Sequence, residues 1–114
     1  MPLLKILTNQ TIEETRQTAF LEETSQLVAG MLGKPERYVM VSIEHSPLMM
    51  FAGSSAPLAY LELKSISLPD SKTSEFSQTL ANLLEQELGL PADRVYIEFV
   101  DAPRNMWGWN GATF

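Results

Sequence analysis

The sequence contains no cysteine, a single histidine and few basic residues. The absence of cysteine excludes structural disulfides, thiolate metal sites and thiol redox chemistry. Eight Lys and Arg residues stand against fourteen Asp and Glu residues, which leaves a net charge of −6. The basic residues are spread along the chain, so nucleic acid is not expected as a partner, because phosphate contacts need concentrated positive charge. His45 has no second histidine at ligand spacing, and we expect no metal site.

The chain also lacks a long apolar run. Residues 3–7 are interrupted by Lys5 and are too few for a signal sequence or a membrane span. We therefore expect a cytoplasmic protein without a membrane partner, with leaderless secretion as the open alternative. At 114 residues and 45% apolar, the chain has the length and composition of a single domain, residues 1–114, that can fold without a disulfide or a structural metal.

The sequence repeats at an offset of 56 residues, with one copy at approximately 2–47 and the other at approximately 57–103. Each copy contains an apolar strand, an amphipathic helix, a Gly-x-Pro stop and a second strand. The stop glycines, Gly33 and Gly89, can adopt the left-handed conformation that ends helices. The predicted strands are 3–8, 38–44, 57–66 and 94–100, and the predicted helices are 12–32 and 71–88, with Thr11 or Asn9 and Asp70 or Ser71 as their N-caps.

A strand, a helix and a strand in succession form a βαβ unit with parallel strands. Two such units predict an α+β fold in which a four-stranded mixed sheet carries both helices on one face. Residues 39–43 and 95–99 bring apolar side chains to both faces of that sheet, and the tail 107–114 contains three aromatic residues. The uncovered face therefore predicts a homo-oligomer.

Several motifs, in order and at matching spacing over essentially the whole chain, resemble the tautomerase superfamily, and within it the macrophage migration inhibitory factor family. The resemblance implies a cofactor-free homotrimer with active sites at the boundaries between subunits. The family's Cys-x-x-Cys pair is replaced by Leu58 and Leu61, which removes the associated thiol oxidoreductase activity. The motifs are Met1-Pro2, Gly33-Lys34-Pro35, Leu48-Met49, Phe51-x-Gly53-Ser54-Ser55, Ser65-Ile66, Asp93-Arg94-Val95-Tyr96-Ile97, Gly108-Trp109-Asn110 and Thr113-Phe114.

The resemblance gives Pro2 the role of catalytic base. Removal of Met1 would make Pro2 a free secondary amine, and an apolar pocket with the Lys34 ammonium nearby would lower its pKa from about 8. A base that titrates near the operating pH suits proton transfer. A proline is also tolerated at the start of a strand without any chemical role, and the sequence does not show whether Met1 is removed.

The resemblance also implies the residues that hold substrate. Lys34 would hold the carboxylate or the keto oxygen, although a lysine there could simply complement a helix C-terminus. Ser65 and Ile66 match the segment whose backbone N–H helps to hold the substrate. Tyr38, Trp109 and Phe114 match aromatic residues at the pocket mouth, and Trp107 adds an indole that is unusual in the family.

Tyr96 and Glu98 alternate on one strand and therefore face the same side. The resemblance implies that both reach into the site of a neighbouring subunit. Glu98 departs from the asparagine that is usual in animal members. Its carboxylate could raise the pKa of the amine and repel an acidic substrate, or it could be a solvated strand charge.

These residues predict a keto–enol tautomerase acting on a small 2-keto acid such as phenylpyruvate. The alternative is a binding or signalling protein with a vestigial pocket and an unknown receptor. Hydrolytic dehalogenation, found in remote branches of the superfamily, is disfavoured because it calls for arginines around the proline. The nearest arginine in the sequence is Arg16.

Overall fold

The computed structural model describes residues 1–114 as six strands, two helices and four short 3₁₀ turns. The 3₁₀ turns are Glu36–Tyr38, Asp70–Lys72, Ala92–Arg94 and Arg104–Met106. The strands and helices are β1 (Leu3–Thr8), α1 (Glu14–Leu32), β2 (Met40–His45), β3 (Ala59–Ile66), α2 (Thr73–Leu88), β4 (Val95–Ala102), β5 (Gly108–Trp109) and β6 (Ala112–Thr113).

Four strands form one mixed sheet in the order β2-β1-β3-β4. β1 runs parallel to β2, β3 runs parallel to β4, and the two central strands β1 and β3 are antiparallel. Each parallel pair is joined by one helix, as expected for a βαβ unit. The predicted α+β fold with a mixed sheet is therefore confirmed.

The hydrophobic core lies between the helices and one face of the sheet. Side chains of β1 and β3 alternate across the sheet, and the core-facing set is almost fully buried. α1 contributes Phe20 and Val28, and α2 contributes Phe76, Leu80 and Leu84. The sheet contributes Leu4, Ile6, Ala59, Leu61 and Leu63. The two repeats therefore share one core rather than forming two.

The opposite face of the sheet differs from the expectation of a second apolar surface. In β2, Val41 and Ile43 are partly buried, whereas Ser42 and Glu44 are exposed. Exposed Met40 and Tyr96 share the open face with the charged Lys5, Glu62 and Glu98. The open face is thus a mixture of apolar and charged side chains, because the strands alternate more strictly than their composition suggested.

The predicted helix stops are confirmed. Gly33 ends α1 with φ 63° and Gly89 ends α2 with φ 67°, both in the left-handed region that glycine adopts without strain. The backbone N–H of Lys34 then donates to the carbonyl of Ala29 at 3.0 Å. The first stop therefore fixes the direction in which the chain leaves α1 at Lys34.

The predicted N-caps are wrong. α1 begins at Glu14 and α2 at Thr73, and no side chain caps either helix. Neither Thr11 nor Ser71 caps a helix, and Asp70 begins a 3₁₀ turn that precedes α2. The side-chain oxygen of Asn9 instead accepts a hydrogen bond from the backbone N–H of Leu58 at 3.0 Å. The side-chain oxygen of Asn9 therefore bonds to a residue 49 positions away instead of capping α1.

The observed strand boundaries also differ from the predicted ones by one or two residues. β2 begins at Met40 rather than 38, because the chain makes a 3₁₀ turn at Glu36–Tyr38 before it becomes extended. β3 begins at Ala59 rather than 57, and β4 runs to Ala102 rather than 100. The extension of β4 matters for the site, because it carries the following residues past the end of β3.

Candidate active site

Pro2 lies buried at one end of the sheet, immediately before β1. Its carbonyl accepts a hydrogen bond from the backbone N–H of Met40 at 3.0 Å. In the antiparallel β1–β3 ladder Leu3 pairs with Lys64, and the same register continued by one residue sets Pro2 opposite Ser65. The predicted base and the Ser65–Ile66 backbone therefore lie at the same end of the sheet.

The amino terminus at this end of the sheet has a perturbed pKa. Burial lowers the pKa of the Met1 amino group below its ordinary value of 8.0, because the charged form loses hydration. The positive charges of Lys34 and Arg104 lower this pKa further. The burial and the two positive charges therefore favour the neutral form of the Met1 amino group.

Arg104 is the residue that sequence reasoning missed. In the sequence the arginine nearest to Pro2 is Arg16, whereas in the structure the charge of Arg104 acts on the amino terminus. Arg16 is held elsewhere by an ion pair with Glu87 at 2.9 Å, whereas Arg104 follows β4, whose Ala102 pairs with Ile66. The register of β4 on β3 and the antiparallel pairing of β3 with β1 bring Arg104 to the end of the sheet where the chain begins, and no local motif specifies either.

Three predicted mouth residues form one aromatic cluster. The Tyr38 ring meets the edges of Trp109 and Phe114 at centroid distances of 5.5 and 5.8 Å, and Trp109 stacks on Phe114 at 5.6 Å. Trp109 precedes the Asn110-Gly111 turn of the β5–β6 hairpin, where both residues have positive φ. The cluster joins the chain just after Lys34 to the C-terminal hairpin.

Tyr96 and Glu98 lie far from Pro2 within one chain. Tyr96 pairs with Tyr60, and Tyr60 pairs with Leu7 near the other end of β1. Five residues of strand separate Leu7 from Pro2, which corresponds to roughly 17 Å at about 3.3 Å per residue. Glu98 pairs with Glu62, which pairs with Lys5, so Glu98 lies about 10 Å along the strands and about 10 Å across them from Pro2. Within a single subunit neither residue reaches the proposed base.

Glu98 is exposed, but it is engaged by a neighbouring side chain. The Tyr60 hydroxyl lies 3.2 Å from Glu98 Oε2 and 3.1 Å from Glu62 Oε1, and Lys64 Nζ lies 3.7 Å from Glu62. Loss of hydration, followed by the two hydrogen bonds, raises the pKa of Tyr60 to about 12. The hydroxyl can donate its one proton to only one carboxylate at a time, so Tyr60 is shared between them.

Arg94 organises the turn that packs against Tyr96. Its guanidinium donates to the carbonyls of Phe51 at 2.8 Å and Ser54 at 3.0 Å. It also donates to the carbonyls of residues 56 and 57, at 2.9 and 3.3 Å. The Phe51 ring lies under this guanidinium, at 5.1 Å from Cζ, and its centroid is 4.4 Å from that of Tyr96. The chain thus turns between Phe51 and Ser54, which form an isolated antiparallel bridge, and Arg94 holds this turn in place.

No group of three or more His, Asp or Glu side chains is placed to hold a metal ion. His45 is exposed at the end of β2. Neither α1 nor α2 combines the length and the apolar character that a membrane-crossing helix needs.

Comparison with known proteins agrees with this geometry. The family model for macrophage migration inhibitory factor (MIF) matches residues 1–114. The MIF homologue of Trichuris trichiura is 40% identical over 115 residues, covering 100% of both chains, and MIF of Rattus norvegicus is 36% identical over 100% and 99% of the two chains.

Solved structures show the same relationship. The crystal structure of the MIF homologue from Prochlorococcus marinus has a TM-score of 0.92 at 43% identity and covers 98% of both chains. That of MIF from Trichinella spiralis has a TM-score of 0.91 at 36% identity, over 98% and 99% of the chains. The chain therefore belongs to the macrophage migration inhibitory factor family.

Proposed function

We propose that the protein is a cofactor-free keto–enol tautomerase of small 2-keto acids, with phenylpyruvate as the test substrate and with Pro2 as the general base. Membership of a family within the tautomerase superfamily supports an isomerase. The observation that carries the proposal is the buried end of β1, where an amine of lowered pKa has two cations near it. The three ion pairs between side chains involve neither cation, and Arg104 is engaged only at Nε, by the main-chain oxygen of Phe114, so its terminal nitrogens and the Lys34 ammonium can meet an anionic substrate.

The chemistry follows from these groups. With Met1 removed, the neutral Pro2 nitrogen takes a proton from the carbon next to the keto group, and the electron pair moves to the keto oxygen. A nearby cation, Lys34 in this proposal, stabilises the resulting enolate. The protonated nitrogen then returns the proton to the oxygen, so the substrate is isomerised and no atom is gained or lost. A positioned general base typically contributes on the order of 10² to 10⁴ in rate.

A lowered pKa suits this role. An amine that is mostly neutral near pH 7 can accept a proton, while its conjugate acid is strong enough to return it. The proline ring also restricts the direction of the nitrogen lone pair, which reduces the orientational freedom lost in reaching the transition state. The aromatic cluster of Tyr38, Trp109 and Phe114 would enclose an aromatic substrate side chain.

We also propose that the working form is a homotrimer. The exposed apolar residues support an assembly, with Leu48 93%, Met50 70% and Tyr96 64% exposed in the single chain. In a trimer, Tyr96 and Glu98 would contribute to the site of a neighbouring subunit. Light scattering should give three times the 12.8 kDa chain mass. A stable soluble monomer at micromolar concentration would overturn this part of the proposal.

The proposed function is tested by controlling the state of the amino terminus. Mass spectrometry identifies protein with and without Met1, and each form is assayed with phenylpyruvate. The processed form should be active, whereas retained Met1, or an alanine inserted before Pro2, should abolish proton transfer because the nitrogen becomes an amide. Pro2→Gly should keep some activity through a less well-oriented primary amine. Equal activity with and without Met1 would refute the proline mechanism and favour the binding-protein alternative.

A further inference from the structure

We propose that Arg104 binds the carboxylate of the 2-keto acid and leaves Lys34 to face the keto oxygen. This inference rests on the proposed tautomerase function, and it assigns a specificity-determining residue to the same site. It predicts that the enzyme prefers free 2-keto acids over neutral keto compounds.

The backbone explains how Arg104 reaches the site. Ser65 pairs with Asp101 and Ile66 with Ala102 in the parallel β3–β4 ladder. Pro103 then continues in an extended conformation, with φ −63° and ψ 144°, and Arg104 begins a 3₁₀ turn. Arg104 therefore follows the strand end that pairs with Ile66. It lies at the end of the sheet where β1 begins.

A hydrogen bond ties this guanidinium to the aromatic cluster. Arg104 Nε donates to the carbonyl oxygen of Phe114 at 3.2 Å, and the Phe114 ring stacks on Trp109. The two terminal nitrogens of Arg104 have no hydrogen-bond or ion-pair partner in the chain. A planar guanidinium anchored through Nε can present both terminal nitrogens to the two oxygens of a carboxylate.

The charge distribution favours an anion at this point. The positive charges of Arg104 and Lys34 both lower the pKa of the Met1 amino group, which precedes Pro2 directly. Asp101, the acidic residue closest to Arg104 in the sequence, accepts a hydrogen bond from the backbone N–H of Leu68 at 3.0 Å. A 2-keto acid offers two adjacent oxygen functions, a carboxylate and a keto group, which match the two terminal nitrogens of Arg104 and the Lys34 ammonium.

The test compares Arg104→Gln with Arg37→Gln. Both arginines are exposed on short 3₁₀ turns next to the aromatic cluster, and the Arg37 guanidinium lies 4.7 Å from the Tyr38 ring centroid. Arg37 is not among the charges that act on the amino group, so Arg37→Gln removes the same charge without the proposed contact. Each variant, with Met1 removed, is assayed with phenylpyruvate and with its methyl ester.

We expect Arg104→Gln to raise KM for phenylpyruvate about tenfold, as the loss of a charge-assisted hydrogen bond implies, and to leave KM for the ester nearly unchanged. Arg104→Lys should recover part of the loss for the acid. Arg37→Gln should preserve the preference for the acid. An equal loss for acid and ester in Arg104→Gln would overturn the inference, because the residue would then act only through Phe114 or through the amine.

A binding measurement separates this inference from the proposed function. Calorimetry with 3-phenylpropanoate, an unreactive acid, and with its amide reports carboxylate recognition without turnover. If the unaltered processed protein turns over neither substrate, the proposed function fails. Carboxylate binding by Arg104 would still be supported if Arg104→Gln lost about tenfold in affinity for 3-phenylpropanoate. Unchanged affinity for the acid in that variant overturns the inference whatever the activity.

Discussion

Replacing Arg94 by glutamine should loosen the turn that packs against Tyr96. The native guanidinium donates to four carbonyls of the segment 51–57, and it lies over the Phe51 ring. Glutamine removes the charge and is too short to reach the same set of oxygens. The turn then depends on its own two backbone hydrogen bonds between Phe51 and Ser54, at 2.9 and 3.0 Å.

The contacts set the size of the effect. Only the hydrogen bonds to Phe51 and Ser54 are partly buried, whereas those to residues 56 and 57 are exposed and contribute little. Two partly buried hydrogen bonds contribute about 2 kcal/mol net, at about 1 kcal/mol each. The cation over the Phe51 ring adds about 0.5 kcal/mol at an exposed site. Arg94→Gln should therefore lower the free energy of unfolding by about 2 to 3 kcal/mol.

Urea denaturation at a fixed protein concentration measures this loss, because assembly would make stability depend on concentration. Arg94→Lys is the matched variant, since it keeps the charge but presents one nitrogen and should recover at most half of the loss. Amide exchange at Ser54 should accelerate in both variants. The reasoning would be refuted if Arg94→Lys were as stable as the unaltered protein, or if Arg94→Gln lost less than about 0.5 kcal/mol, the ordinary effect of a surface substitution.

Three other outcomes are expected. Glu98→Gln should lower KM for phenylpyruvate in steady-state assays, because like charges repel in a partly desolvated pocket, and unchanged kinetics would mean that the carboxylate faces away from the substrate. Gly33→Ala and Gly89→Ala should each cost about 1 kcal/mol of unfolding free energy in urea, since both glycines have positive φ and open space around them. Only Gly33→Ala should also lower kcat/KM, because Lys34 follows it, and equal activities would contradict that link. In protein that retains Met1, the amino pKa is lower folded than unfolded, so the unfolded state binds more protons and unfolding free energy should rise with pH up to about 8. Urea midpoints that fall with pH over that window would contradict this sign.

The repeat in the sequence was enough to predict two βαβ units in one mixed sheet, although it did not specify the antiparallel pairing of β1 with β3. Because each copy contains a strand, a helix and a strand of matching length, parallel pairing within each copy followed from chain connectivity. Gly33 and Gly89 ended the helices because their role is local and depends on one backbone angle. The Asn110-Gly111 turn was predictable for the same reason.

Features that depend on distant partners were not predictable in this way. Asn9 has the chemistry of a helix cap, but the N–H of Leu58 takes its side-chain oxygen. The interaction of Tyr60 with Glu98 requires the register that pairs β3 with β4, which no residue pattern specifies. Arg104 was missed because its approach to Pro2 depends on that same ladder.

The candidate site was anticipated unevenly. Pro2, Lys34 and the Ser65–Ile66 backbone were predicted from a resemblance, and the sheet register explains why Pro2 and Ser65–Ile66 share one end of the sheet. The aromatic cluster was anticipated as a set, whereas its tie to Arg104 through the Phe114 carbonyl was not. Tyr96 and Glu98 stay a prediction for a neighbouring subunit, because within one chain Tyr96 lies level with Leu7 and Glu98 level with Lys5, both on β4, two strands away from β1.

The central claim is that the Pro2 nitrogen is the base, and a titration of that nitrogen tests it most directly. Protein lacking Met1 and labelled with ¹⁵N at proline is followed by NMR as a function of pH, alongside kcat/KM for phenylpyruvate. The nitrogen should titrate below the ordinary amino-terminal value of about 8, and the acidic limb of the rate profile, along which kcat/KM rises with pH, should have the same pKa. A nitrogen that titrates at its ordinary value, or a rate profile with no limb at the pKa of the nitrogen, would contradict the central claim.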